Sequence, residues 1–119
     1  MSEKQNFGYL GYSFQLKLLN LIITDNKFFQ TIIDAITPKY FDNQYFRLIM
    51  QLIKEYYEKY QTAPSFDALD QLTRIEISSE MARTYVVDML KEIKDSSFED
   101  HLFIKEKSLN FCKQQELKK

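Results

Sequence analysis

The stretch Asn43–Gln61, NQYFRLIMQLIKEYYEKYQ, decides the fold. Its polar residues Gln44, Arg47, Gln51, Lys54 and Glu58 recur at three and four and form one narrow stripe. Tyr45, Phe46, Leu48, Ile49, Leu52, Ile53, Tyr56, Tyr57 and Tyr60 fill the remaining circumference. A helix apolar over so wide an arc is wrapped by other helices, so this segment is expected to be the central member of an α-helical bundle.

Working outward, Phe14–Ile23 carries Phe14, Leu18, Leu21 and Ile22 at i, i+4, i+7, i+8, the spacing of a buried helix face. Asp25 is placed to cap a second helix, Asn26–Ile36, and Thr37-Pro38 reads as a cap followed by proline at the first helical position. C-terminal to the central segment, Thr62-Ala63-Pro64-Ser65 breaks the chain, and Ser65 caps a short helix, Phe66–Leu72. Arg74–Ile77 reads as a connector. Ser78 then caps a helix over 79–95 with Ala82, Val86, Met89, Leu90 and Ile93 on one face. Ser96-Ser97-Phe98-Glu99 has capping-box spacing for a last helix from Phe98 onward.

The composition agrees with helices. With 119 residues, 45% of them hydrophobic, the chain has the size of one domain able to bury a core without cross-links. Two glycines and two prolines are too few for a turn-rich β fold, so the expected class is all-α with six or seven helices. Gly8 and Gly11 stand three apart, which leaves no place for a GxxxxGK[ST] or GxGxxG phosphate loop and argues against nucleotide hydrolysis by this chain. A single cysteine allows no internal disulfide and favours a reducing compartment. No apolar run is long enough to span a bilayer, and the polar start is unlike a signal peptide, so no membrane partner is expected.

Sixteen bases against 17 acids give no general attraction to nucleic acid. The charge is uneven: residues 66–100 hold nine acids and four bases, Arg74, Arg83, Lys91 and Lys94, whereas residues 102–119 hold five lysines and two glutamates. His101 and Cys112 lie eleven apart, about 16 Å along one helix, too far for a nucleophile pair. No catalytic, cofactor-binding or metal-ligating set emerges. The tyrosines of Asn43–Gln61 have core spacing and too few interleaved bases for a stacking groove. The segment Phe7–Tyr12 either folds back on the bundle or docks on a partner.

The last helix differs from the rest. Phe98, Leu102, Phe103, Ile104, Leu109, Phe111, Cys112 and Leu117 form no single dense stripe, and the helix runs into Lys118-Lys119 without a stop signal. It is expected to need a second surface, in a protein that continues beyond it.

These features together resemble the N-terminal domain of DnaB-type hexameric replicative helicases, especially the divergent versions of large tailed phages. The resemblance spans about residues 13–117. It is carried by Gln15 with Leu18-Leu19 and Leu21-Ile22-Ile23; by Tyr40-Phe41 and Tyr45-Phe46-Arg47-Leu48-Ile49; and by Leu52-Ile53, Tyr56-Tyr57 and Pro64-Ser65-Phe66-Asp67-Ala68-Leu69. Asn20 stands where the bacterial family usually has glycine, and no histidine precedes Arg47. The resemblance implies a flexible segment (1–12), a helical head of four to five helices (13–77) and a long antiparallel helical hairpin (78–119) leading to a linker and an ATPase domain outside this chain. It implies that ATP and Mg belong only to that motor. It further implies a collar that self-associates through the hairpin and recruits a primase or loader, with little direct DNA binding, in a cytoplasm, the host's if viral. The residues expected at that interface are Val86, Met89, Leu90, Ile93, Phe98, Leu102, Phe103, Ile104 and Phe111, the last helix leaving Phe103, Ile104 and Phe111 exposed. The alternative reading of the residues is a stand-alone helical adaptor or regulator that binds a replication or host protein through its C-terminal hairpin.

Overall fold

Side-chain caps set where the helices begin. The computed structural model, which describes residues 5–97 and 99–118, contains α1 (Tyr12–Thr24), α2 (Asn26–Ile32), α3 (Gln44–Tyr60), α4 (Phe66–Glu76), α5 (Glu80–Asp95) and α6 (His101–Leu117). Short 3-10 turns cover Phe7–Leu10 and Pro38–Tyr40, and there is no strand among the described residues. Asp25 Oδ1 accepts from the Phe28 amide, Thr37 Oγ1 from Lys39, Asn43 Oδ1 from Tyr45, and Ser65 Oγ from Ala68, so each frees its helix of an orphan donor. Ser79, one residue later than expected, caps α5 by accepting from Ala82.

Two boundaries differ from the sequence expectation for physical reasons. Helix α2 stops at Ile32, and Lys54 of α3 donates to carbonyls just past that end, those of Ile33 at 2.9 Å and Ile36 at 2.7 Å. A cation there satisfies orphan carbonyls and complements the helix dipole. Helix α4 runs on through Arg74 and Ile75 to Glu76, in place of the expected connector, and Ile75 is left 74% exposed. An Asp70–Arg74 pair at 3.2 Å and the buried Thr73 hydroxyl on the Leu69 carbonyl accompany the extra turn.

The hub of the core is α1, not α3. Helix α1 buries Phe14, Gln15, Leu18, Leu19, Asn20, Leu21 and Ile22 and packs against α2, α5, α6 and the first 3-10 turn. Helix α3 buries Phe46, Ile49, Met50, Leu52 and Ile53 against α4, α5 and the second 3-10 turn. Its tyrosines spread to the boundary, with Tyr45, Tyr56 and Tyr57 half-buried and Tyr60 exposed. Tyrosine is amphipathic, and its phenolic end stays in water.

Two buried amides tie α1 to its neighbours. Gln15 donates to the Gly11 carbonyl and accepts from the Asp42 amide, and Asn20 donates to the Ile93 carbonyl at the end of α5 at 2.9 Å. The N-terminal segment folds back: Phe7 is fully buried, with ring centroids of Phe111, Phe41, Phe14 and Tyr40 between 4.7 and 6.2 Å away. A Cβ at Gly8 would fall 2.7 Å from Asp42 Oδ2 and 2.8 Å from Asn6 Oδ1, so both side-chain tips would have to shift to admit one.

Helix α6 begins at His101, after Asp100 in the left-handed region (φ 63°), so no capping box forms. Ser97 Oγ accepts from the Glu99 amide, and Ser96 Oγ donates to the Ile93 carbonyl, local bonds that compete with helix initiation. Nor does α6 run along α5 as the second arm of a hairpin. It lies on α1.

Candidate interaction surfaces

The residues singled out in the sequence separate sharply. Val86, Met89, Leu90 and Ile93 are buried within this chain, on the face of α5 turned to α1, α3 and α4. Ile104 and Phe111 are 2% and 3% exposed, which corrects the expectation that they face solvent. Phe98 lies outside the described residues. Only Leu102, at 71%, and Phe103, at 51%, are on the surface.

The inward face of α6 is Ile104, Ser108, Phe111 and Cys112, the i, i+4, i+7, i+8 set of a buried helix face. That signal is present in the sequence. The small polar Ser108 hides it, and the structure satisfies its hydroxyl on the Lys105 carbonyl. Burial, with Glu116 nearby, pushes the Cys112 thiol up to about 12, so it stays protonated and unreactive. His101 is exposed.

Two ion pairs hold α6 down. Lys105 Nζ lies 2.6 Å from Asp25 Oδ2 and 6.0 Å from the Phe28 ring centroid, and Lys17 lies 3.8 Å from Asp100. The Lys105 ammonium, then the Phe28 amide, hold the Asp25 carboxyl below its usual range. The opposite face of α6 stays open. It presents Leu102 and Phe103 with Glu106 one turn on, and Lys107 Nζ lies 3.7 Å from Glu106 Oε1 and 5.7 Å from the Phe103 ring, while the half-buried Leu109 packs against the core.

A second surface is assembled from three helices. Tyr45 of α3 stacks on Tyr85 of α5, with centroids 5.1 Å apart and planes at 21°. Tyr12, at the start of α1, lies 5.2 Å from the Phe46 ring and donates its hydroxyl to Glu92 Oε2 at 3.1 Å. Partial burial, then the Glu92 carboxylate, raise the Tyr12 phenol. Met81, Tyr85, Asp88 and Glu92 follow one another at i, i+4, i+7 and i+11 along α5, and Met81 and Tyr85 are 69% and 51% exposed. The result is a tyrosine and methionine face edged by carboxylates.

A third feature is the groove between α4 and α5, floored by Phe66, Val87 and Leu90 and lined by Arg74, Arg83, Lys91 and Lys94. These are all four bases of residues 66–100. They do not form a basic footprint, because Asp67, Asp70, Glu80 and Asp88 line the same groove. Arg83 also donates to the carbonyls of Ile77 and Ser78, and Arg74 pairs with Asp70.

Among the described residues there is no grouping of three histidine, cysteine or carboxylate side chains that would hold a metal, and no helix long and apolar enough to cross a membrane. The described surface presents apolar side chains in contact with water, edged by charge. No protein-family model, curated protein or solved structure matches the chain.

Proposed function

We propose that this chain is the N-terminal collar domain of a DnaB-type replicative helicase, which joins subunits and recruits a primase or loader. The ATP-driven motor, with its ATP and Mg, then belongs to a part of the protein outside this chain. The observation that carries the reading is α6: one face is seated on α1, and the other leaves Leu102 and Phe103 in water. Exposed apolar surface of this kind is a protein contact site rather than a reaction centre.

Support also comes from where the family-like residues sit. Leu18, Leu19, Ile22, Phe41, Phe46, Ile49, Ile53 and Leu69 are buried, and Gln15 bridges α1 to the loop before α3. The resemblance therefore lies in packing positions, the kind that specify a fold. Asn20, the departure from the family, is accommodated by its bond to the Ile93 carbonyl.

The test uses the full-length gene product. Expected are ring formation, ATP hydrolysis stimulated by single-stranded DNA, and binding of the primase encoded by the same genome that is lost when residues 1–119 are removed. A gene product lacking a GxxxxGK[ST] loop, or one whose rings and primase binding survive that removal, overturns the reading in favour of a stand-alone adaptor.

A further inference from the structure

We propose that the tyrosine face across α1, α3 and α5 is a docking site for a basic, apolar segment of another protein, whose lysine or arginine side chains meet the carboxylates at its edge. The inference rests on the folded surface alone and is separate from the helicase reading.

Charge on this face has one sign, and α5 is the reason. Met81, Tyr85, Asp88, Glu92 and Asp95 fall on one stripe, at i, i+4, i+7, i+11 and i+14, and all five are exposed. The bases of the same helix stand on its other flank. Arg83, Lys91 and Lys94 line the groove toward α4, where Arg83 also donates to the Ile77 and Ser78 carbonyls. Asp88 lies on the crest and borders both surfaces. The bases of α1 and α3 are engaged elsewhere. Lys17 pairs with Asp100 at 3.8 Å, Arg47 donates to the Phe41 carbonyl, Lys54 to those of Ile33 and Ile36, and Lys59 lies over the Tyr60 ring at the far end of α3.

The apolar part suits a cation on a long stem. Lysine and arginine lay their methylenes along apolar surface while the charged end reaches outward, tyrosine rings attract cations, and the flexible thioether of Met81 adapts to the shape it meets. The Tyr12 hydroxyl on Glu92 fixes one carboxylate at the edge of the rings, so charge and apolar surface are presented together. The same carboxylates repel an acidic segment and the phosphates of a nucleic acid, which leaves a protein segment of opposite sign as the occupant. A second copy fits less well, since its exposed Leu102 and Phe103 carry Glu106 beside them, paired with Lys107 at 3.7 Å.

The test follows the amide resonances of the isotope-labelled chain during titration with two synthetic helical peptides. Both carry the same leucine face; the polar positions are lysine and arginine in one and glutamate in the other. The basic peptide is expected to shift the amides of Tyr45, Met81, Tyr85 and Glu92 and to bind at least about tenfold more tightly than its acidic twin, the difference shrinking as salt rises. Glu92→Lys with Asp95→Lys should remove that preference, and Met81→Ala with Tyr85→Ala should weaken the basic peptide by about tenfold. Should the charge variant unfold in a circular-dichroism melt, Glu92→Gln with Asp95→Asn replaces it and should reduce the preference in the same direction.

Equal binding of the two peptides overturns the inference, as do shifts centred on Leu102 and Phe103 or on the α4–α5 groove, or a charge variant that keeps the preference. Concentration-dependent shifts of the same amides in the chain alone would assign the face to a second copy, and stronger binding of a single-stranded oligonucleotide than of the basic peptide would assign it to nucleic acid; either overturns it too. None of these outcomes bears on rings and primase binding, by which the helicase reading is tested.

Discussion

Replacing Phe7 by alanine asks whether the first ten residues belong to the fold. The ring is fully buried among Phe14, Tyr40, Phe41 and Phe111, edge-on to Tyr40 and Phe41. Burying a phenylalanine removes about 200 Å² from water, worth about 5 kcal/mol at 25 cal/mol per Å², and measured Phe→Ala losses in cores are about 3–5 kcal/mol. Freeing the turn Phe7–Leu10 returns some conformational entropy, which places the expected loss near the lower end, about 3 kcal/mol. For a domain of 119 residues this is a large share of total stability, and it lowers the thermal midpoint by about 10–15 °C. Because Phe111 loses its nearest ring, at 4.7 Å, α6 should loosen first, and amide exchange there should rise more than in α3. Tyr9→Ala is the comparison, since Tyr9 is 51% exposed with its ring 6.4 Å from that of Phe111, and its loss should lower the midpoint much less than Phe7→Ala does. A Phe7→Ala midpoint within 2 °C of the parent, by the roughly 4 °C per kcal/mol expected of this size, would refute the placement of Phe7 in the core.

Three further outcomes are expected. Asn20→Ala, which removes one donor to an Ile93 carbonyl that keeps its Ser96 partner, should cost about 0.5–1.5 kcal/mol in chemical denaturation, and an unchanged midpoint would show that the bond does not anchor α5. Because the folded-state pKa of Asp25 is lowered, its contribution to stability is present above the usual aspartate range and is lost as pH falls through the folded value. The acid limb of the stability curve should therefore flatten in Asp25→Asn, and an identical limb would exclude the Lys105 pair as its source. Cys112, raised to about 12 and buried, should resist alkylation at pH 8 until the chain is unfolded; rapid labelling of the native protein would mean that α6 detaches from α1.

What could be read in the sequence was what local chemistry decides. Asp25, Thr37 and Ser65 are caps whose side-chain bonds reach two or three residues ahead, so their meaning is complete within a few positions. The Ser96–Glu99 box failed for the complementary reason: serines with several backbone partners nearby bonded within the turn, and the helix began only at His101. The choice of hub was a matter of shape. A wide apolar arc belongs to a central helix only if its side chains are apolar to the tip, as Leu18, Leu19 and Ile22 are and the tyrosines of α3 are not.

The surfaces were the hardest part to see, and their two kinds of concealment differ. The inward face of α6 is periodic but disguised, since Ser108 occupies a core position in a helix that is apolar on both sides. Exposure of Leu102 and Phe103 follows only once that face is known. The α5 part of the tyrosine face is periodic, but its tyrosines share no single period, because Tyr12, Tyr45 and Tyr85 come from three helices and meet only through the packing of α1, α3 and α5. Tyr45 read as a core position along its own helix, and its partner on α5 drew no attention because it stands at the edge of a buried stripe. A stacked pair with one ring half-buried and the other 51% exposed is a property of the helix crossing rather than of either segment.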